Sequence, residues 1–130
     1  MDIENNYQIQ ILWACLAAWN KANADDVISF YAEDVDYRDP NLINGIKGRK
    51  QLHTYLKILF HKWPVQKWTP NIIHPHLKTG NFSIDYAFYF GNKYKSIQGR
   101  GIDLIVLNND KIQLNHVYLN ADAWAEWIKR

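Results

Sequence analysis

Between residues 9 and 19 the apolar side chains Ile9, Leu12, Trp13, Leu16 and Trp19 fall three or four positions apart, which lines one face of a helix. Asn23 then reads as a helix N-cap, since its side-chain carbonyl can accept from the free amides of a first turn. Asp25 and Asp26 lie where the positive end of the helix dipole favours acids, and this second helix is expected to be short and to run through Tyr31. Residues 35–38 are β-prone and stop at Asp39-Pro40, because a residue before proline is driven out of helical geometry. After the loop NLINGIKG, a third helix opens near Gly48. It carries Leu52, Tyr55, Leu56, Leu59, Phe60 and Trp63 on one stripe and ends at Pro64.

Beyond Pro64 the pattern becomes that of strands. They are expected at 68–77, 82–90, 93–107 and 111–120. The first turn lies around Lys78 to Asn81, the second is a two-residue hairpin at Gly91-Asn92, and the third is at Asn108-Asn109-Asp110. A closing helix is expected to hold Trp124, Trp127 and Ile128 on one side, capped by Asn120 or Asp122. Helices first and an antiparallel meander second make an α+β arrangement, with no repeat or linker to divide residues 1–130 into more than one domain.

Strand alternation sorts the faces. A two-residue turn pairs Phe90 with Lys93, so Phe82, Ile84, Tyr86 and Phe88 share a face with Ile97, Gly99, Gly101, Asp103, Ile105 and Leu107. An even-length turn at the next hairpin adds Ile112, Leu114, His116 and Tyr118. The helices should cover this face, and it contains one anomaly: Asp103, in the apolar run GRGIDLIVL. Burying an ionised carboxylate without a partner is costly. Asp103 is therefore either paired, with His116 about opposite, or protonated. A protonated acid in an apolar setting can donate a hydrogen bond to developing negative charge. Gly99 and Gly101 remove side chains beside it, for a ligand or for a strongly bent sheet. The opposite face carries Ile102, Leu104, Val106, Val117 and Leu119 with no helix left to cover them, which predicts a homodimer contact.

Composition narrows the function classes. The chain has 130 residues, 48% of them hydrophobic, enough for one real core. Six Trp and eight Tyr are a high aromatic content; such residues line pockets as well as cores, and Trp13, Tyr37, Tyr55, Trp63 and Trp68 are candidates to hold a small apolar molecule. A net charge of +2 with dispersed basic residues argues against nucleic acid as a partner. No apolar run reaches membrane-spanning length. Cys15 is the sole cysteine, so no intrachain disulfide can form, and MDIENN has no signal-peptide character; a cytoplasmic location is expected. His74 and His76 have metal-pair spacing, but Pro75 separates them and no third ligand is evident, so no metal or cofactor is expected.

Three strings, AWNKANADDVISFYAEDVDYRDP, GIKGRKQLHTYLKILF and GIDLIVLNNDKIQLNHVYLN, resemble a SnoaL-like domain of the nuclear transport factor two-like superfamily, which includes ketosteroid isomerases. The resemblance implies a cone, a curved antiparallel sheet wrapped around N-terminal helices (the SnoaL-like or cystatin-like α+β barrel), with a deep pocket. It also implies roles. A general-base Asp in an Asp-Pro pair after the first strand matches Asp39 in YRDP, and a protonated oxyanion-hole Asp in an Ile-Asp pair matches Asp103. An oxyanion-hole Tyr on the first helix is matched by Cys15, a much weaker donor, so Tyr55 or Tyr118 would have to supply a hydroxyl. The implied function is a cofactor-free isomerase or proton-transfer enzyme for an apolar, carbonyl-bearing substrate. The substrate would be held by Trp13, Cys15, Tyr37, Tyr55, Trp63, Trp68, His116 and Tyr118. One alternative is a non-catalytic ligand-binding or accessory domain, with Asp39 merely bonding its own turn. Another is limonene-epoxide-hydrolase-like chemistry, which needs an Asp–Arg–Asp relay; Arg100 alternates away from Asp103, and the last strand offers Asn115, His116 and Asn120 where a second acid is wanted.

Overall fold

Asn23 caps as its sequence context predicts: its Oδ1 accepts from the amide of Asp26 at 3.1 Å. A computed structural model describes residues 3–42 and 44–120. The elements are α1 (Ile3–Asn20), α2 (Ala24–Ile28), β1 (Tyr31–Arg38), β2 (Ile46–Lys47), α3 (Arg49–Lys62), β3 (Val65–Pro75), β4 (Asn81–Gly91), β5 (Ser96–Asn108) and β6 (Lys111–Leu119). Tyr31 begins a strand rather than ending a helix, and the loop before α3 holds the two-residue strand β2. The closing helix expected around Trp124 and Trp127 lies outside the described residues.

The strands form one curved sheet in the order β2-β1-β6-β5-β4-β3. Its β3–β6 portion is the antiparallel meander, but β1 joins β6 in parallel, so the sheet is mixed. The helices pack on the inner face, α1 against β3 and α3 against β1 and α2. On α1 the buried positions are Gln8, Leu12, Cys15, Leu16, Ala18 and Trp19; Trp13 falls too far round the helix and is 50% exposed, so it lines no interior surface.

Register decides what the inner face carries. The β4–β5 connection is not the expected two-residue turn. Gly91 pairs with Ser96 across a four-residue loop, residues 92–95, which puts Phe90 opposite Ile97. The Asn92 amide donates to the Lys95 carbonyl, and Asn92 Oδ1 accepts from the amides of Tyr94 and Lys95. The pairing moves by four residues, an even number, so the faces survive: Phe82, Ile84, Tyr86, Phe88, Ile97, Asp103, Ile105 and Leu107 are all buried. At the next hairpin Asn109 and Asp110 both have positive φ, the geometry of a tight two-residue hairpin turn.

A bulge then intervenes. Leu107 pairs with Ile112 but Val106 pairs with Leu114, so Gln113 is an extra residue in β6. One extra residue turns every later side chain to the other face. Asn115, Val117 and Leu119 therefore point inward, and Leu114, His116 and Tyr118 outward. This corrects the placement of His116 and Tyr118 inside, and of Val117 and Leu119 outside. Gly101 is corrected as well. A Cβ there would stand 2.6 Å from the Tyr118 carbonyl and 2.9 Å from Leu119 and from the Tyr86 ring, so this glycine permits close strand packing and clears no room for a ligand.

Candidate active site

Asp103 is the deepest carboxyl among the described residues, 7% exposed at mid-β5. Both its oxygens accept. The Tyr86 hydroxyl donates to Oδ1 at 2.7 Å and Asn115 Nδ2 donates to Oδ2 at 3.2 Å. Behind Asn115 the network continues: the Tyr31 hydroxyl donates to Asn115 Oδ1 at 2.7 Å, and Trp19 Nε1 donates to the Tyr31 oxygen at 3.3 Å. Burial pushes the Asp103 carboxyl up to about 7; the hydrogen bonds from Tyr86 and Asn115 pull it down, and the charge of Asp39 pushes it further up. Burial also holds the Cys15 thiol up at about 12, so it is an inert wall rather than a nucleophile.

Asp39 sits at the end of β1 in a different setting. Its Oδ2 accepts from the hydroxyls of Tyr55 at 2.6 Å and Tyr37 at 2.8 Å, and its Oδ1 accepts from the Asn41 amide at 2.8 Å. The last contact is the turn bond typical of an Asp before proline; the two phenols are not part of any turn. Burial raises the Asp39 carboxyl, while Tyr55, Tyr37 and Asn41 hold it down by bonding to its ionised form.

Three small cavities run between and behind these acids. One of about 20 Å³ touches Asp39, Tyr37, Leu59 and Phe90; another of about 10 Å³ touches Asp103 and Leu16; Trp19, Trp68 and Val117 are walls of both. A third, of about 10 Å³, lies among Cys15, Tyr31, Asp103 and Asn115. Each has room for about one water. The deep open pocket implied by the sequence resemblance is thus filled among the described residues. Trp19 and Trp68 occupy it edge to face, 5.6 Å between centroids, and Trp68 packs on Tyr86 at 4.9 Å.

Of the residues anticipated, Tyr37, Tyr55, Trp68 and Cys15 gather around the two acids. Trp63 is fully buried elsewhere, its ring covered by the Lys95 ammonium at 5.5 Å, and it lines none of the three cavities. On the outer face His116 lies 3.3 Å from Asp36, which also meets Lys47 at 2.9 Å. Burial would raise Asp36, but Lys47 and His116 outweigh it and hold that carboxyl low. Arg100 binds Asp85 at 3.1 Å, Arg38 lies beside Asp36, and Arg49 donates to the Ile28 carbonyl, so among the described residues no arginine meets Asp103. His76 bonds Ser83 at 2.7 Å, and no group of three metal-ligating side chains occurs among the described residues. No described helix is long and apolar enough to cross a membrane. The participants not anticipated are Trp19, Tyr31, Tyr86 and Asn115. Tyr86 was on the correct face and could have been found from alternation alone.

A family model described as the SnoaL-like domain matches residues 14–115. No curated protein matches the sequence. Among solved structures, the epoxide hydrolase/cyclase-like enzyme SalBIII, described in pyran ring formation in the polyether salinomycin, superposes with a TM-score of 0.81 at 14% identity, covering 92% of this chain and 95% of its own. An LEH-like epoxide hydrolase of M. tuberculosis gives 0.78 at 14% identity, covering 92% and 86%. A protein of Catenulispora acidiphila with a ketosteroid isomerase-like fold, in complex with trimethylamine, gives 0.75 at 16% identity, covering 87% of each chain. Likeness at these identities speaks to fold.

Proposed function

The chain belongs to the SnoaL-like domain family, and we propose that within this fold it carries out cofactor-free proton transfer on a small, apolar, carbonyl-bearing molecule. Ionised Asp39, steadied by Tyr37, Tyr55 and Asn41, takes a proton from the carbon beside the carbonyl. Neutral Asp103 donates a hydrogen bond to the enolate oxygen that forms, and Asp39 returns the proton at another carbon to give an isomer. The observation that carries this reading is the pairing of two enclosed acids with different partners on cavities that share Trp19, Trp68 and Val117 as walls. A ligand takes its place by parting the Trp19–Trp68 edge contact. Trp68 and Cys15 then bound it from the interior, and Tyr37 and Tyr55 steady its base. The epoxide-hydrolase reading ranks behind, because the arginine of its relay has no counterpart at Asp103 among the described residues.

The test is a titration with small phenols, which mimic an enolate, followed by tryptophan fluorescence. Binding is expected to weaken as pH rises through about 7, where Asp103 loses its proton, and to fall about ten- to a hundredfold in Asp103→Leu. Binding that is unchanged in Asp103→Leu favours a non-catalytic accessory domain.

We also propose that a second copy covers the outer sheet face, where Ile102, Leu104 and Tyr118 are exposed beside Val106 and Leu114. Light scattering at micromolar concentration is expected to give the mass of a dimer, and Leu104→Glu the mass of a monomer. A strict monomer for the unaltered protein removes this assembly.

A further inference from the structure

The buried hydrogen bonds around Asp103 run in one direction. An indole N–H can only donate, so Trp19 obliges the Tyr31 oxygen to accept, at 3.3 Å. The Tyr31 proton goes to Asn115 Oδ1 at 2.7 Å. An amide whose oxygen is thus engaged must turn its NH2 the other way, and Asn115 Nδ2 faces Asp103 Oδ2 at 3.2 Å. On the far side, Asp103 is the only acceptor for the Tyr86 hydroxyl among the described residues, at 2.7 Å. If Tyr86 turned to accept instead, its own proton would be buried without a partner.

We infer that Tyr31 and Asn115 form a positioning pair: Tyr31 locks the Asn115 amide with its NH2 toward Asp103, so that protonated Asp103 finds no acceptor among the described residues and presents its proton to the cavity. Without the lock the amide can turn over. Asn115 Oδ1 then accepts the Asp103 proton, and the donor is consumed internally. This extends the proposed function, since a neutral Asp103 serves as a donor to a ligand only while its proton stays outside the protein's own network. Tyr31 and Asn115 touch no reacting atom; they act through Asp103. Trp19, at the head of the chain, gives the lock its direction.

The inference is tested without a ligand, by carbon-13 NMR titration of the Asp103 carboxyl in a double-variant cycle. The groups facing it are Tyr86 from β4, Asn115 from β6, Tyr31 from β1 and Cys15 from α1, with Asp39 acting by charge. The thiol and phenols stay protonated throughout the range of the titration. Tyr31→Phe frees the amide and lets the neutral acid gain a hydrogen bond, so the midpoint is expected to rise by about one pH unit. In an Asn115→Leu background there is no amide to turn, and adding Tyr31→Phe is expected to leave the midpoint where Asn115→Leu alone puts it. Equal effects of Tyr31→Phe in both backgrounds would show that Tyr31 acts by packing or by charge, and would overturn the inference. Should Asn115→Leu fail to fold, nuclear Overhauser contacts in Tyr31→Phe decide the matter. Contacts between the Asn115 NH2 and the Phe ring are expected to appear as Asp103 takes its proton, and their absence overturns the lock.

Phenol binding adds a second arm. Tyr31→Phe is expected to weaken it about tenfold at pH 6, and Tyr31→Phe combined with Asn115→Leu to recover most of that loss. If the wild-type protein binds no phenol while the titration cycle behaves as described, the proposed function fails and the positioning pair stands.

Discussion

Replacing Asp39 with Asn is expected to slow carbon–hydrogen proton transfer by about 10²- to 10⁴-fold, the usual worth of a positioned general base. The measurement is incorporation of solvent deuterium beside the carbonyl of small cyclic ketones and enones, followed by proton NMR. Asn keeps the shape of the side chain and can still accept from Tyr55 and Tyr37 through its oxygen, and it gives up only the turn bond from the Asn41 amide, which its NH2 cannot accept; a thermal melt of the variant separates that structural cost from the loss of basicity. Phenol affinity should stay within about threefold, or tighten, because the negative charge that opposes a bound oxyanion has gone. Tyr55→Phe separates the two contributions of the phenols. Removing one donor raises the Asp39 carboxyl and moves the rising limb of the pH–rate profile upward. An exchange rate that Asp39→Asn leaves unchanged ends the general-base assignment.

The second large effect is on stability. Asp103 has an ordinary value of 3.8 in the unfolded chain and about 7 in the folded one. Between those limits the folded protein binds more protons than the unfolded one, so stability falls as pH rises, and it levels off above about 7. A difference of roughly three pH units corresponds to about 4 kcal/mol lost between pH 4 and pH 8, at about 1.4 kcal/mol per unit. The Asp39 carboxyl shifts in the same direction and adds to the trend. Asp36, whose carboxyl is held low, contributes stability that is lost only below its ordinary 3.8, outside this window. Urea unfolding at half-unit pH intervals should show this decline in the wild-type protein and a much flatter profile for Asp103→Asn. Parallel profiles for the two would mean that Asp103 is ionised at no such cost.

Much of this was legible from residue pattern. Asp103 stands out because an acid flanked by Ile102, Leu104 and Ile105 conflicts with its apolar run, and the inner face of β4 and β5 follows from alternation even though the loop is two residues longer than the pattern predicts. An even error in loop length is harmless to faces. The odd insertion at Gln113 is not, and nothing in KIQLNHVYL marks it. The bulge hid Asn115 and brought His116 forward in its place. Tyr31 was missed for a related reason: it lies at a boundary, three residues past a short helix and at the first position of β1, and a tyrosine there has no periodicity of its own. Trp13 and Trp19 both belong to the apolar repeat of α1, yet they stand about 120° apart around the helix, and one is half exposed while the other bonds Tyr31. The filling of the pocket was also illegible. It depends on how Trp19 from α1 and Trp68 from β3 meet, and rings from distant segments meet in ways that spacing along the chain does not describe.

The extra residue in β6 has an evolutionary corollary. Deleting the Gln113 codon would leave Asn115 facing the acid on the neighbouring strand and the His116 imidazole outside, because Leu114 and the residues after it already pair as an unbulged strand would beyond Ile112. A relative lacking that codon would keep the same interior groups. A faithful alignment therefore opens a one-letter gap at this point instead of setting Asn115 against a histidine.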